Sequence, residues 1–354
     1  MLANEIAPRA LADLVRYGYW PGQERIVDAY GRVVTYLRVS LTDRCNLRCL
    51  YCMPPEGIPW LPCMDLLSFE EIVAIVEAAA ACGVTKVRLT GGEPLVRKDL
   101  PNLIGRIARL PGIEDLALTT NGVLLASCAQ DLAHAGLRRV NVSLDTLEPE
   151  KFRRITRLGH LGEVLKGLEA AADAGLAPLK VNTVIMGGLN DKEAPDLAGL
   201  TVKRDLEVRF IEYMPLDESG GCTRTGDAIE FVPSATTREY IESVLGPLQP
   251  LPSQGEYDGP ALRFRIPGAR GSIGFIGAMS VPFCERCNRL RLTANGELRS
   301  CLLDGGVVDV RSILRSGGGR NAVIAALRRT AELKPKVHQY LAGAFHGAMS
   351  RIGG

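Results

Sequence analysis

From residue 33 to about 214 the chain repeats one pattern. A short run of aliphatic and polar residues in alternation is followed by a turn, then by a longer run with apolar residues every three or four positions. The alternating runs are VVTYLRVSL from Val33, TKVRLT from Thr85, EDLALTT from Glu114, RRVNVSL from Arg138, PLKVNTVI from Pro178 and LEVRFIEY from Leu206. The longer runs include FEEIVAIVEAAAACG from Phe69 and GEVLKGLEAAADAG from Gly162, both closed by the glycine that commonly stops a helix. Strands alternating with helices predict a parallel sheet with right-handed crossovers. Six such units predict an α/β fold, a partial (β/α)6 TIM-like barrel. A doubly wound sheet is the alternative.

The pattern changes after Pro215. PLDESGGCTRTGD is rich in turn formers, and beyond it come short strand patterns (LRFRIP, GSIGFIG, RLRLT) and a helical run from Asn321 to Leu333. The expected division is an N-terminal extension over 1–28, the partial barrel over 29–215, and a smaller C-terminal α+β domain over 216–354 that closes the barrel mouth.

Within a strand, residues two apart share a face. Val87 and Leu89 lie opposite Lys86, Arg88 and Thr90, and Val39 and Leu41 lie opposite Arg38 and Ser40. Asn141 and Ser143 oppose Val140 and Val142, Lys180 and Asn182 oppose Val181, Thr119 opposes Leu118, and Arg209 opposes Val208 and Phe210. Helices cover the aliphatic face, so the polar face points inward with Arg38, Lys86, Arg88, Lys180 and Arg209. Strand-end charges paired with carboxylates would explain one such residue. Five converging on one lumen call for an anion, and a triphosphate fits.

The overall composition narrows the classes. A net charge of +2 is too small to point to nucleic acid. No apolar run is long enough to span a bilayer, and Glu5 and Asp13 interrupt any secretory pattern, so a cytoplasmic location with no membrane partner is expected. Of ten cysteines, Cys63, Cys82, Cys128 and Cys222 are scattered and read as ordinary small side chains. The other six fall in two clusters.

Directly after the first strand, DRCNLRCLYCMPPEG spaces Cys45, Cys49 and Cys52 as C-x₃-C-x₂-C. Three thiolates hold three irons of a four-iron cluster and leave the fourth open to chelate a small molecule. Zinc would want paired cysteines or a nearby histidine, and His134, His160, His338 and His346 all lie far from this loop in sequence. Near the C-terminus, FCERCNRLRLTANGELRSCLL spaces Cys284, Cys287 and Cys301 as C-x₂-C-x₁₃-C, again three thiols, with Arg289 and Arg291 on one strand face between them.

The first spacing, with Tyr51 before the third cysteine and a Gly-Gly-Glu turn in LTGGEP at the end of the second strand, resembles the radical S-adenosylmethionine superfamily. The second cluster, the arginine pair, Cys52-Met53-Pro54 and the terminal Gly353–Gly354 narrow the resemblance to the GTP 3′,8-cyclases, over residues 28 to the C-terminus. That resemblance implies two [4Fe–4S] clusters, S-adenosylmethionine as cofactor and GTP as substrate. It implies cofactor contacts at Tyr51, Gly92, Ser143 and Met214. It implies GTP contacts at Arg38, Arg88, Thr119, Lys180, Arg289 and Arg291, and a catalytic part for Arg289, Arg291, Gly353 and Gly354. It further implies an electron donor such as flavodoxin or ferredoxin and cyclic pyranopterin monophosphate synthase as pathway partner, and it allows a homodimer. Two rivals stand against it. A peptide-modifying radical enzyme usually carries more cysteines in its extension and does not need five lumen cations. A non-catalytic iron–sulfur or zinc module does not need the Gly-Gly-Glu turn.

Overall fold

The six alternating runs become the strands β1 (Tyr36–Ser40), β2 (Lys86–Thr90), β3 (Asp115–Thr120), β4 (Arg139–Ser143), β5 (Leu179–Ile185) and β6 (Leu206–Glu212) of a computed structural model that describes residues 25–214, 229–252, 259–338 and 352. They stand side by side in chain order, each parallel to the next. A doubly wound sheet reverses its strand order at a switch point, and these strands do not. The partial barrel is therefore the correct reading.

Six helices cover the outside: α1 (Phe69–Ala81), α2 (Leu100–Ala108), α3 (Ala129–His134), α4 (Pro149–Thr156), α5 (Leu161–Asp173) and α6 (Ala194–Lys203). The start of α1 is a capping box. Ser68 Oγ accepts from the Glu71 amide at 3.2 Å, and the Glu71 carboxylate accepts from the Ser68 amide at 2.8 Å. Such an N-cap stabilises by about 1 kcal/mol. Gly83 and Gly175, at φ +90° and +73°, stop α1 and α5 as expected. Between helices and sheet lies the core, where Leu37, Val39, Val87, Leu89, Leu118, Val142 and Val181 meet Ile72, Ile75, Leu103 and Ile107. The aliphatic strand face thus points outward, and the polar face points into the lumen.

C-terminal to this barrel come α7 (Ser234–Leu245), β7 (Gln249–Pro250), β8 (Leu262–Arg265), β9 (Ser272–Ile276), β10 (Arg289–Leu292), β11 (Glu297–Arg299), β12 (Val307–Asp309), α8 (Val310–Arg315) and α9 (Arg320–Glu332). Among the described residues these strands form no sheet of their own. They extend the barrel sheet at both edges, giving the order β12-β11-β10-β1-β2-β3-β4-β5-β6-β9-β8-β7. An open barrel presents two rows of unpaired backbone groups, and β9 against β6 and β10 against β1 satisfy both. The pairing of β10 with β1 sets Arg289 beside Tyr36 and Arg291 beside Arg38. Arg25 to Val34 pack at the C-terminal end of α1, with Ile26 buried and its amide donating to the Cys82 carbonyl at 3.2 Å. None of the described helices is long and apolar enough to cross a membrane.

Candidate active site

The first cysteine loop leaves the end of β1 and docks on the end of α4. The Arg48 and Leu50 amides donate to the Thr156 and Ile155 carbonyls, each at 3.0 Å. Arg157, held at φ +64°, donates to the carbonyls of Arg48 and Met53 at 2.8 and 2.9 Å. The Tyr51 hydroxyl donates to Asp145 at 2.8 Å, and the other oxygen of this buried carboxylate accepts from the Val184 amide. Burial pushes Asp145 up to about 6. Burial also raises the Cys45 thiol, raises Cys49 more strongly, and pushes Cys52 up to about 12.

The Gly-Gly-Glu turn holds the start of this loop. The Gly92 amide donates to Thr42 O at 2.7 Å and the Glu93 amide to Arg44 O at 2.8 Å. A β-carbon on Gly91 would lie 2.7 Å from Thr42 O, and one on Gly92 would lie 2.8 Å from Asp43 O, so no side chain fits at either position. Glu93 is buried and takes three donors: Thr120 Oγ1 at 2.7 Å, the Asn121 amide at 2.7 Å and the Leu95 amide at 3.0 Å. The Glu93 carboxylate thus ties the end of β3 to the turn after β2, and its amide ties that turn to the loop that carries Cys45.

Above the strand ends lies one cavity whose space, open mouth included, is ≈ 1470 Å³. Cys45, Cys49, Cys52, Tyr51, Gly92, Ser143 and Met214 line it. So do Arg38, Arg88, Thr119, Arg289 and Arg291. The three thiols open on this shared space and none is in a disulfide, which fits a cluster bound on one face and open on the other.

Below the cavity the lumen is more balanced than the inward cations alone predict. Lys86 pairs with Asp115 at 3.5 Å and Lys180 with Glu207 at 3.3 Å, while Arg209 and Glu207 form a further ion pair. Asp115 also pairs with Arg139, and Glu207 with Arg263 at 3.4 Å. Lys86, Lys180 and Arg209 therefore have carboxylate partners and do not by themselves require a bound anion. The alternation rule also places Asp115, Arg139 and Glu207 on the inward face, so that face carries carboxylates as well as cations. At the cavity border above them, Arg38, Arg88, Arg289 and Arg291 converge.

Tyr36, beneath this row, stacks its ring against Lys86, Arg88 and Arg289, whose charged groups lie 4.9, 5.9 and 5.5 Å from its centre. Burial would raise the Tyr36 phenol, but Arg88, Arg38, Arg289 and Lys86 outweigh it and hold it at about 7. Burial and then the neighbouring Arg289 push Arg291 down to about 10, and burial and Arg291 hold Arg38 well below its usual value. Burial and Arg209 bring Lys180 down to about 7 despite Glu207. Burial is the first cause of the lowered arginine and lysine values, and the neighbouring positive charges add to it.

The second cysteine set lies beside the first cavity. Cys284 and Cys287 flank a turn of 3₁₀ helix (Cys284–Arg286), and Cys301 follows β11. The β10–β11 register, Arg291 opposite Arg299, carries Cys301 back toward Cys287. These three thiols line a smaller cavity with Ser300, Leu303 and His338, and Met214, Phe283, Arg289, Arg291 and Leu302 border both cavities. Burial raises Cys284; burial would raise Cys287 too, but Lys334 and Arg289 hold it below the usual thiol value. Among the described residues no three histidine, cysteine or acidic groups converge tightly enough for one ion. A multi-iron cluster sets its thiolates wider, since each iron takes its own.

Lys180 lies under the cavity and does not line it, being 4% exposed. Gly353 and Gly354 fall outside the described residues, as does Cys222. The preceding Ile352 is described: it is 1% exposed and packs against Met214, Leu302 and Leu303. Of the scattered cysteines, Cys63 is exposed and Cys82 is buried.

Comparison with known proteins agrees with this geometry. Residues 39–201 match the Radical SAM superfamily, and residues 206–340 match Molybdenum Cofactor Synthesis C. The GTP 3′,8-cyclase of Pelotomaculum thermopropionicum is 50% identical over 92% of this chain and 99% of its own length. That of Thermodesulfovibrio yellowstonii is 47% identical over 87% of this chain and 94% of its own. Among solved structures, Streptococcus suis SuiB bound to S-adenosylmethionine shares the fold, with a TM-score of 0.54 at 16% identity over 91% of this chain and 75% of that one. A cysteine loop and an arginine row that line one cavity, together with these matches along nearly the whole chain, lead to one conclusion: the chain belongs to the GTP 3′,8-cyclase family of radical S-adenosylmethionine enzymes.

Proposed function

We propose that this enzyme converts GTP into (8S)-3′,8-cyclo-7,8-dihydroguanosine 5′-triphosphate, the first step of molybdenum cofactor biosynthesis. The observation that carries this reading is that Arg38, Arg88, Arg289 and Arg291 line the same cavity as three thiols. S-adenosylmethionine, bound at a [4Fe–4S] cluster held by Cys45, Cys49 and Cys52, supplies a 5′-deoxyadenosyl radical upon one-electron reduction. That radical would take the hydrogen atom from the ribose 3′ carbon of GTP, giving 5′-deoxyadenosine; the 3′ carbon would then bond to carbon 8 of guanine, and one electron from the donor with one proton would complete the 7,8-dihydro ring.

The chain's own residues place the two ligands. Tyr51, Gly92, Ser143 and Met214 hold the cofactor on the side of the first cysteine loop. Arg38, Arg88, Thr119, Arg289 and Arg291 grip the triphosphate, with guanidinium forks matched to phosphate oxygens. Lys180 belongs to the charged floor beneath them. Cys284, Cys287 and Cys301 hold a second [4Fe–4S] cluster whose open iron faces the guanine. Residues 29–215 serve as the radical domain and 216–354 as the domain that holds the substrate, with 1–28 a separate extension. An electron donor such as flavodoxin or ferredoxin, delivery of product to cyclic pyranopterin monophosphate synthase, and a cytoplasmic location belong to the same reading. A homodimer is compatible with it.

Anaerobic protein given S-adenosylmethionine and dithionite should form 5′-deoxyadenosine, with strong stimulation by GTP and none by peptides. Stimulation by a peptide and not by GTP would overturn the reading. Replacing Arg289 or Arg291 with alanine should weaken GTP binding by about 1.5–3 kcal/mol, the range for hydrogen bonds to charged groups. S-adenosylmethionine affinity and iron content should stay near normal. An unchanged GTP dissociation constant in both variants would remove the pair from the substrate site.

A further inference from the structure

Lys334 is a lysine buried without a carboxylate. It follows α9, is 4% exposed, and uses all three ammonium hydrogens. Two go to main-chain carbonyls, Arg289 O at 2.8 Å and Ser300 O at 3.1 Å, and the third goes to Cys287 Sγ at 3.2 Å. Among the described residues no carboxylate forms an ion pair with it. A buried ammonium is costly unless a negative charge accompanies it. The nearest group able to carry one is the sulfur of Cys287.

The surroundings hold the lysine in place. Arg32 donates to Cys284 O at 2.6 Å, to Pro335 O at 2.7 Å and to Lys336 O at 3.1 Å. It thereby ties the first cysteine of the set to the chain just beyond Lys334. The Ser300 hydroxyl donates to Leu333 O at 3.2 Å from the other side. The carbonyls that Lys334 bridges belong to Arg289, two residues after Cys287, and to Ser300, one residue before Cys301. One ammonium therefore fixes the spacing of two ligand-bearing strands and faces the sulfur of one of them.

We propose that Lys334 is the counter-charge of the second cluster, a positioning residue whose ammonium donates to the Cys287 sulfur and raises the cluster's reduction potential. The inference rests on the proposed second cluster. A fixed positive charge and an N–H···S hydrogen bond both favour the reduced state, which carries one more negative charge, and both are established levers on iron–sulfur potentials.

The test uses the full chain with Cys45, Cys49 and Cys52 changed to alanine, so that only the second cluster reports. Its midpoint potential is read by redox titration with electron paramagnetic resonance, alongside iron content, with and without Lys334→Met, Lys334→Gln and Lys334→Arg. Lys334→Met should keep its iron and lower the reduced-to-oxidised ratio at fixed potential by about tenfold or more, which is about 59 mV for a one-electron couple. Lys334→Arg should stay close to the parent. An unchanged potential in an iron-loaded Lys334→Met protein would overturn the proposal. If Lys334→Met loses its iron, recovery in Lys334→Arg but not in Lys334→Gln supports the counter-charge. Recovery in both, or in neither, overturns it and leaves Lys334 as a backbone staple. A parent without iron would instead overturn the second cluster itself, and this inference with it.

Discussion

Anaerobic reconstitution is expected to load about eight irons per chain, and changing Cys45, Cys49 and Cys52 together to alanine to halve that to about four while abolishing 5′-deoxyadenosine formation. The reason is local. The three thiols sit on a loop held from four directions: by the end of α4, by Arg157, by Tyr51 on Asp145, and by the Gly-Gly-Glu turn. Removing only the sulfurs leaves that scaffold intact, so the protein should remain folded. The second cysteine set lies on the turn before β10 and just after β11, which none of those contacts supports. GTP binding should therefore survive the triple substitution when radical formation does not. Iron analysis with Mössbauer spectroscopy, together with a GTP affinity measurement, checks both halves. A parent with about four irons, or with zinc in their place, would refute the two-cluster reading.

Deleting Gly353 and Gly354 should lower cyclised product by at least about 100-fold, with iron content and GTP affinity close to normal. A misplacement of about 1 Å at a reacting centre costs on that order. Ile352 gives the physical ground. It is 1% exposed against Met214, Leu302 and Leu303, and Met214 and Leu302 also line the cavity. The chain at Ile352 is thus anchored on side chains that line the cavity. Glycine lets backbone enter crowded space where a β-carbon would clash. The deletion should therefore disturb orientation of the reacting groups and not the binding of cluster or triphosphate. Product formation and GTP affinity for the truncated protein decide it, and full activity would remove the tail from the mechanism.

Much of the fold was legible because its signals are local. Period-two alternation marked all six barrel strands, and their aliphatic faces named the outer layer before any packing was known. Both cysteine spacings likewise carry their chemistry within a few residues, as does the Gly-Gly-Glu turn. The inward position of Arg38, Arg88 and Thr119 followed from the same alternation. The pairing of Lys86 with Asp115 and of Lys180 with Glu207 did not, because each joins neighbouring strands whose register is set only when the sheet assembles. Counting cations on one face without their carboxylates overstated the charge left for a substrate. The Asp145 clamp on Tyr51 spans 94 residues and leaves no trace in spacing.

By itself the sequence determined the repeating strand–helix units, the inward polar faces and two three-thiol sets, because each depends on residues near one another along the chain. Only the tertiary structure decided that the C-terminal strands join both edges of the barrel. That pairing sets Arg291 beside Arg38 and Arg289 beside Tyr36. It also brings the second thiol set to the border of the first cavity and Lys334 onto the sulfur of Cys287. The cause is the open barrel's unpaired backbone, which the returning chain satisfies at both edges.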